Sequence, residues 1–108
     1  MKRPSTPRLQ RTLAKLDRKE QVTIVALGDS NTELTWHTAG RLNWTGLLQE
    51  ALFEKHGGNR VMLINAGRCG DTAVGALQRL DRDVLRFHPD LVIIAFSMND
   101  AGQGEAGL

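Results

Sequence analysis

Residues 22–32 read Val22-Thr23-Ile24-Val25-Ala26-Leu27-Gly28-Asp29-Ser30-Asn31-Thr32. The first six form a continuous run of apolar and β-branched residues, of strand length. Such a run suits a strand buried on both faces, as in a parallel sheet, better than a strand with one wetted face. Gly28 ends it, and short polar residues follow at once.

Working outward, residues 29–42 read as a polar loop. Trp44, Leu47, Leu48, Ala51 and Leu52 then mark one face of a helix, with Asn43 as its N-cap and Gly57-Gly58 as its stop. Val61-Met62-Leu63-Ile64 is a second strand, and residues 65–71 a glycine-containing loop. Thr72 can cap a second long helix with Val74, Leu77, Leu80 and Val84 inward, closed by Pro89. Residues 91–96 are a third strand, and residues 102–108 are Gly-rich without periodicity. Upstream, Ser5-Thr6-Pro7 reads as a helix start. Leu9, Leu13 and Leu16 recur at helical spacing among Arg and Lys, which gives a short helix over residues 7–18. A helix followed by β-α-β-α-β predicts a parallel sheet with right-handed crossovers. The organisation expected is a basic amphipathic helix over residues 1–20 and an α/β unit over residues 21–108.

Composition bounds the function classes. Hydrophobic residues make up 41% and charged residues 24% of the 108, the balance of an ordinary globular chain. No apolar run approaches the ~20 residues of a membrane helix. Met1-Lys2-Arg3-Pro4-Ser5 is basic, but no apolar segment follows it. No secretory signal is therefore expected, and the cytoplasm is the expected compartment. Cys69 is the single cysteine, so no internal disulfide can form. The first 20 residues hold seven of the 14 Lys/Arg and two of the 12 Asp/Glu. Such an arm can touch nucleic acid or anionic lipid. A solvated amphipathic helix accounts for it more simply, and no nucleic-acid partner is expected.

In an open parallel sheet, ligands bind outside the carboxyl ends of the strands. Three polar clusters follow the three strands: Gly28-Asp29-Ser30-Asn31-Thr32, Asn65-Ala66-Gly67-Arg68-Cys69-Gly70-Asp71-Thr72, and Ser97-Met98-Asn99-Asp100. A serine nucleophile needs a base for its proton and donors for the oxyanion. The amides of Ser30 and Gly70 and the carboxamide of Asn99 are candidate donors. Each cluster alone is ordinary turn chemistry; their order, each behind a strand, is what distinguishes them. The surroundings of Ser30 are not the G-x-S-x-G elbow of α/β-hydrolases. Asp29, Asp71 and Asp100 read as loop and cap residues, and Cys69 as a small loop residue.

Ala26-Leu27-Gly28-Asp29-Ser30-Asn31-Thr32 resembles block I of the SGNH (GDSL-type) hydrolases. The segment from Asn65 to Thr72 resembles block II, and Phe96-Ser97-Met98-Asn99-Asp100 resembles block III. The resemblance implies a flavodoxin-like three-layer α/β/α fold with strand order 2-1-3, of which this chain carries about the first half. It implies Ser30 as nucleophile, Gly70 and Asn99 in the oxyanion hole, and hydrolysis of acyl or acetyl esters without metal or cofactor. Carbohydrate acetyl esters are the first substrate expected. The pattern departs from the family twice. Ser97 stands where the family usually has glycine. The closing Asp-x-x-His block, which supplies the base and its orienting carboxylate, does not occur in these 108 residues. A chain truncated before that block is expected to be inactive alone.

Three histidines are present. His56 and His88 end the predicted helices and should lie at the opposite edge of the sheet from Ser30. A strand of five or six residues separates those edges by ~17–20 Å, too far for a base. His37 follows Ser30 in the loop and lies on the correct side. Trp44 reads as core, and Trp36 can line an acyl or sugar pocket. Two other classes fit the pattern less well. A phosphate- or flavin-binding module would leave Gly70 and Asn99 unexplained, and a receiver-like domain would need two further strands. The exposed edge of strand 91–96 is expected to promote self-association.

Overall fold

The computed structural model describes residues 7–58 and 60–96. Helix α1 spans Pro7–Asp17, strand β1 Val22–Gly28, a short helix α2 Ser30–Glu33, and helix α3 Trp44–His56. Strand β2 follows at Val61–Gly67, then helices α4 (Ala73–Gln78) and α5 (Leu80–Asp83), and strand β3 at Leu91–Ala95. Single 3₁₀ turns occupy Trp36–Thr38 and Leu85–Phe87.

The strands form one parallel sheet in the order β2-β1-β3. Central β1 is buried at every position but Thr23, as its unbroken apolar run requires. Alternate residues of β1 feed two cores. Val25 and Leu27 pack with Ala66, Ala76 and Val84 on one face. Val22 and Ile24 pack with Leu16 of α1 on the other, with Leu52 of α3 against them. Helices thus cover both faces, and the three-layer α/β arrangement is the one expected.

Several local expectations need correction. Residues 29–42 are not all loop, because α2 starts directly at Ser30. β2 runs three residues further than read, to Gly67. Asn65, Ala66 and Gly67 continue the strand because Ala26, Leu27 and Gly28 of β1 offer a partner ladder opposite them. The long helix after Thr72 is broken at Arg79, whose ψ of 11° leaves the helical region. Val74 and Leu77, expected inward, are therefore 59% and 70% exposed, while Val84 is fully buried and Leu80 partly so. In α3, Leu47 is likewise exposed, while Leu48 and Leu52 turn inward. Both predicted caps are present. Asn43 Oδ1 accepts from the amides of Thr45 and Gly46, and Thr72 Oγ1 accepts from that of Gly75.

The start of β3 is held by one carboxylate. Asp90 Oδ2 accepts from the Thr23 amide at 2.8 Å, and Oδ1 from Lys15 Nζ at 2.7 Å. Thr12 Oγ1 of α1 donates to the Asp90 carbonyl at 3.1 Å. Partial burial raises the Asp90 pKa, but the Lys15 hydrogen bond, the Thr23 amide and the Lys15 charge outweigh it and hold the carboxyl below its usual value. The Asp83 carboxyl is lowered to about 2, chiefly by its hydrogen bond from Arg82 and then, against the cost of burial, by Arg79.

A carboxylate lowered on folding stabilises the fold above its unfolded pKa, and that contribution is lost as pH falls through the folded value. The urea midpoint should thus be flat near neutrality and fall from about pH 4 towards pH 2. Asp90→Asn and Asp83→Asn should each flatten that fall, as read by urea unfolding at a series of pH values. An acid limb unchanged in both variants would refute this account.

Candidate active site

The register of β1 with its neighbours sets Gly28 opposite both Gly67 and Ala95. Three small residues therefore line up across the carboxyl end of the sheet, and α2 lies on them. A Cβ on Gly28 would come within 2.2 Å of Thr32 Oγ1 and 2.7 Å of the Ala95 carbonyl. A Cβ on Gly67 would lie 2.4 Å from the Glu33 amide nitrogen. Nothing larger than glycine fits at either position.

Asp29 makes the turn from β1 into α2. Its side chain is 2% exposed and accepts from the Asn31 amide at 3.1 Å, while its carbonyl accepts from the amides of Thr32 and Glu33. It is a cap, as its sequence context suggested. The far end of α2 is tied by two asparagines. Asn43 Nδ2 donates to the carbonyls of Thr32 and Leu34, and Asn65 Nδ2 to that of Thr32 at 2.6 Å. Trp44, expected in the core, is half-buried and donates from Nε1 to Thr32 Oγ1 at 3.0 Å. Ser30 thereby stands half-exposed at the first position of a helical turn fixed from both ends.

The segment after β2 is joined to this turn. The Arg68 amide donates to the Gly28 carbonyl at 3.0 Å, and the Cys69 amide to Glu33 Oε1 at 2.6 Å. The Asp71 amide closes a turn onto the Arg68 carbonyl. Gly70 sits in that turn with φ of +79°, a left-handed conformation that glycine adopts without steric cost. No acceptor among the described residues meets the amide of Ser30 or of Gly70.

His37 is carried on the 3₁₀ turn, and its Nε2 is 3.2 Å from Ser30 Oγ. Among the described residues nothing meets its other ring nitrogen. The Trp36 ring, 77% exposed, lies beside the imidazole with centroids 5.4 Å apart. His56 closes α3 ahead of β2 and His88 precedes β3, so both stand at the amino ends of the strands, away from Ser30. Cys69 is exposed. Asn99, Ser97 and Asp100 lie outside the described residues. Among the described residues, no group of three or more His, Cys, Asp or Glu side chains is placed to hold a metal.

One residue escaped the sequence reading. Arg79 is 6% exposed, and its guanidinium reaches the Gly28 carbonyl, the Ala66 carbonyl, Asp71 and Asp83. Only the last contact, an i,i+4 pair, leaves a signal in the sequence.

The sequence profile of the GDSL-like lipase/acylhydrolase family matches residues 26–107. The chain belongs to that family. Solved structures agree. A two-domain esterase (CEX) active on acetylated mannans superposes with a TM-score of 0.74 at 28% identity, over 90% of this chain and 26% of its own. The acetyl xylan esterase AlAXEase gives 0.63 at 28% identity, over 79% and 41%. The lipase/acylhydrolase from Enterococcus faecalis gives 0.57 at 37% identity, over 75% and 41%. The chain thus spans less than half the length of each of these hydrolases. No curated protein matches it.

Gly67 and Gly70 are glycine for different reasons, which substitutions should separate. Gly67→Ala drives a methyl into main chain and should cost about 1–3 kcal/mol or more. Gly70→Ala meets open space and should cost only the left-handed strain, about 1–2 kcal/mol. Urea unfolding of the two variants checks both. Equal wild-type stability of Gly67→Ala would contradict the packing described.

Proposed function

We propose that this chain supplies the nucleophile and the oxyanion donors of an ester hydrolase. The observation that carries the reading is the Ser30 turn. Its hydroxyl stands at the carboxyl end of the central strand, on backbone clamped against Gly28 and Gly67, and its amide and that of Gly70 are left without acceptors among the described residues. In this reading Ser30 Oγ attacks the ester carbonyl carbon and its proton passes to a base. The amides of Ser30 and Gly70 and the carboxamide of Asn99 hold the oxyanion. The tetrahedral species collapses with loss of the alcohol, and water then releases the acid from the acyl-serine.

Acetylated carbohydrate is the substrate class we favour. It is supported by the likeness to esterases of acetylated mannan and xylan, and by the exposed Trp36 ring two side chains from Ser30. The base is assigned to an Asp-x-x-His segment of the complete domain. His37 is in reach of the hydroxyl, but no described carboxylate orients it, and a histidine in a triad without its carboxylate loses about 10⁴ in rate. We therefore assign His37 to the substrate side of the site.

The complete enzyme should be labelled by a fluorophosphonate at Ser30, as located by mass spectrometry. Label on another residue would refute the assignment. Asn99→Ala should lower turnover by roughly 10²–10³ with folding intact, and Ser97→Gly should leave activity equal or higher. The 108-residue chain alone should hydrolyse p-nitrophenyl acetate at no more than a trace of an ordinary enzyme rate. Fast turnover abolished by His37→Ala would give the base role to His37 instead.

We also infer that the 108-residue chain, alone in solution, self-associates through β3. Among the described residues this strand pairs only with β1, and Ile94 is 67% exposed. Sedimentation should show dimers or larger species. A concentration-independent monomer would refute it.

A further inference from the structure

Among the described residues, Arg79 is the buried charged side chain that reaches both halves of the site. It sits in the break between α4 and α5 and points back under the carboxyl end of the sheet. Nη2 donates to the Gly28 carbonyl at 3.2 Å, Nη1 to the Ala66 carbonyl at 2.9 Å and to Asp83 Oδ2 at 3.1 Å, and Nε to Asp71 Oδ2 at 2.7 Å. Gly28 is two residues before Ser30, and Asp71 directly follows Gly70. One rigid planar group therefore spans from the nucleophile's turn to the loop that carries the proposed oxyanion amide.

We infer that Arg79 is a positioning residue for acyl transfer, its guanidinium setting the separation between the Ser30 turn and the Gly70 amide. The inference rests on the assignment of those two residues proposed above. Attachment of α4 and α5 to the sheet does not by itself call for this side chain, because Ala76, Leu80 and Val84 already pack them onto β1 and β2. What Arg79 adds is a connection among polar groups at the site end of the strands. The planar fork with five donors suits it to two carbonyls and two carboxylates at once. Lysine keeps the charge but carries three donors on a flexible stem, and cannot hold the same four acceptors in one plane. Asp71 completes the connection, since its other oxygen, Oδ1, accepts from the Thr72 amide at 2.8 Å and fixes the loop's exit into α4.

Positioning and mere support differ in what they do to the reactive serine. Lost support lowers the fraction of molecules that react, whereas lost positioning lowers the rate of every molecule. The test is fluorophosphonate labelling of the complete enzyme, with stoichiometry and rate measured separately, alongside kcat and KM on p-nitrophenyl acetate. Arg79→Lys and Arg79→Gln should unfold cooperatively and still label one equivalent at Ser30. Their labelling rate and kcat should fall roughly 10²-fold, the scale of an ångström misplacement, with KM nearly unchanged. Should both variants fail to fold, Asp71→Asn decides. It keeps the acceptor for the Thr72 amide and weakens the hold on Arg79, and should label fully but more slowly. Substoichiometric labelling at the wild-type rate, or a wild-type rate in Asp71→Asn, would overturn the inference and leave the Ser30 assignment standing. Wild-type enzyme labelled elsewhere than Ser30 would instead remove the assignment, and the inference with it.

Discussion

The closeness of α2 to the end of the sheet is the constraint on which the rest of the site depends. A four-residue helix has too few internal hydrogen bonds to persist alone. It persists here because Gly28 and Gly67 let its backbone settle directly on the strand ends, and because Asn43 and Asn65 take up the carbonyls at its far end. The same approach brings Glu33 within reach of the Cys69 amide, so the second loop is drawn to the first. Ser30 is placed by packing and main-chain bonding, and its hydroxyl is not needed to hold the turn; it meets His37 Nε2 instead.

Much of the architecture was legible in the order of residues. The run from Val22 to Leu27 is continuously apolar or β-branched, which suits a strand buried on both faces, and β1 is that strand. Asn43 and Thr72 were readable as caps because a cap acts within three residues of itself. The order β2-β1-β3 followed from a family resemblance carried by three short blocks. Other features depend on partners remote in sequence. Asn65 and Ala66 look like loop residues until β1 is set beside them. Val74 and Leu77 look inward-facing until the helix breaks at Arg79. Arg79 itself reads as an ordinary helix-surface arginine, because two of its acceptors are main-chain carbonyls 13 and 51 residues away, and a carbonyl leaves no mark in a sequence. Ser30 and Gly70 were identifiable as candidates from their blocks. His37 was readable as lying on the side of Ser30, but its hydrogen-bond contact was not, since that depends on a 3₁₀ turn ended by left-handed Ala39 and Gly40.

Among the described residues, two assemblies hold the partly or fully buried charges that join elements of the sheet. At the amino end of the sheet, Asp90 joins α1, β1 and β3 through Lys15 and main-chain groups. At the carboxyl end, Arg79 gathers Asp71 and Asp83 beneath the site. Each pairs a partly or fully buried ion with opposite charge and with backbone dipoles, which makes burial of the ion tolerable. Between them the side chains on both faces of β1 pack as two apolar clusters, so the sheet's two ends are polar fastenings around a hydrocarbon middle.

The segment carrying Trp36 and His37 is built on another plan. The hydrogen bonds that shape its turn, from Thr38 to Thr35, Ala39 to Trp36, Gly40 to Thr35 and Arg41 to Thr38, begin and end within residues 35–41. Among the described residues it is self-contained, and its polar link to the clamped turn beneath is the contact between His37 and Ser30. A unit of this kind can be lengthened, shortened or exchanged without disturbing what lies under it. Change in this rim is thereby insulated from the Ser30 turn, whose backbone position is set by Gly28, Gly67 and the two asparagines.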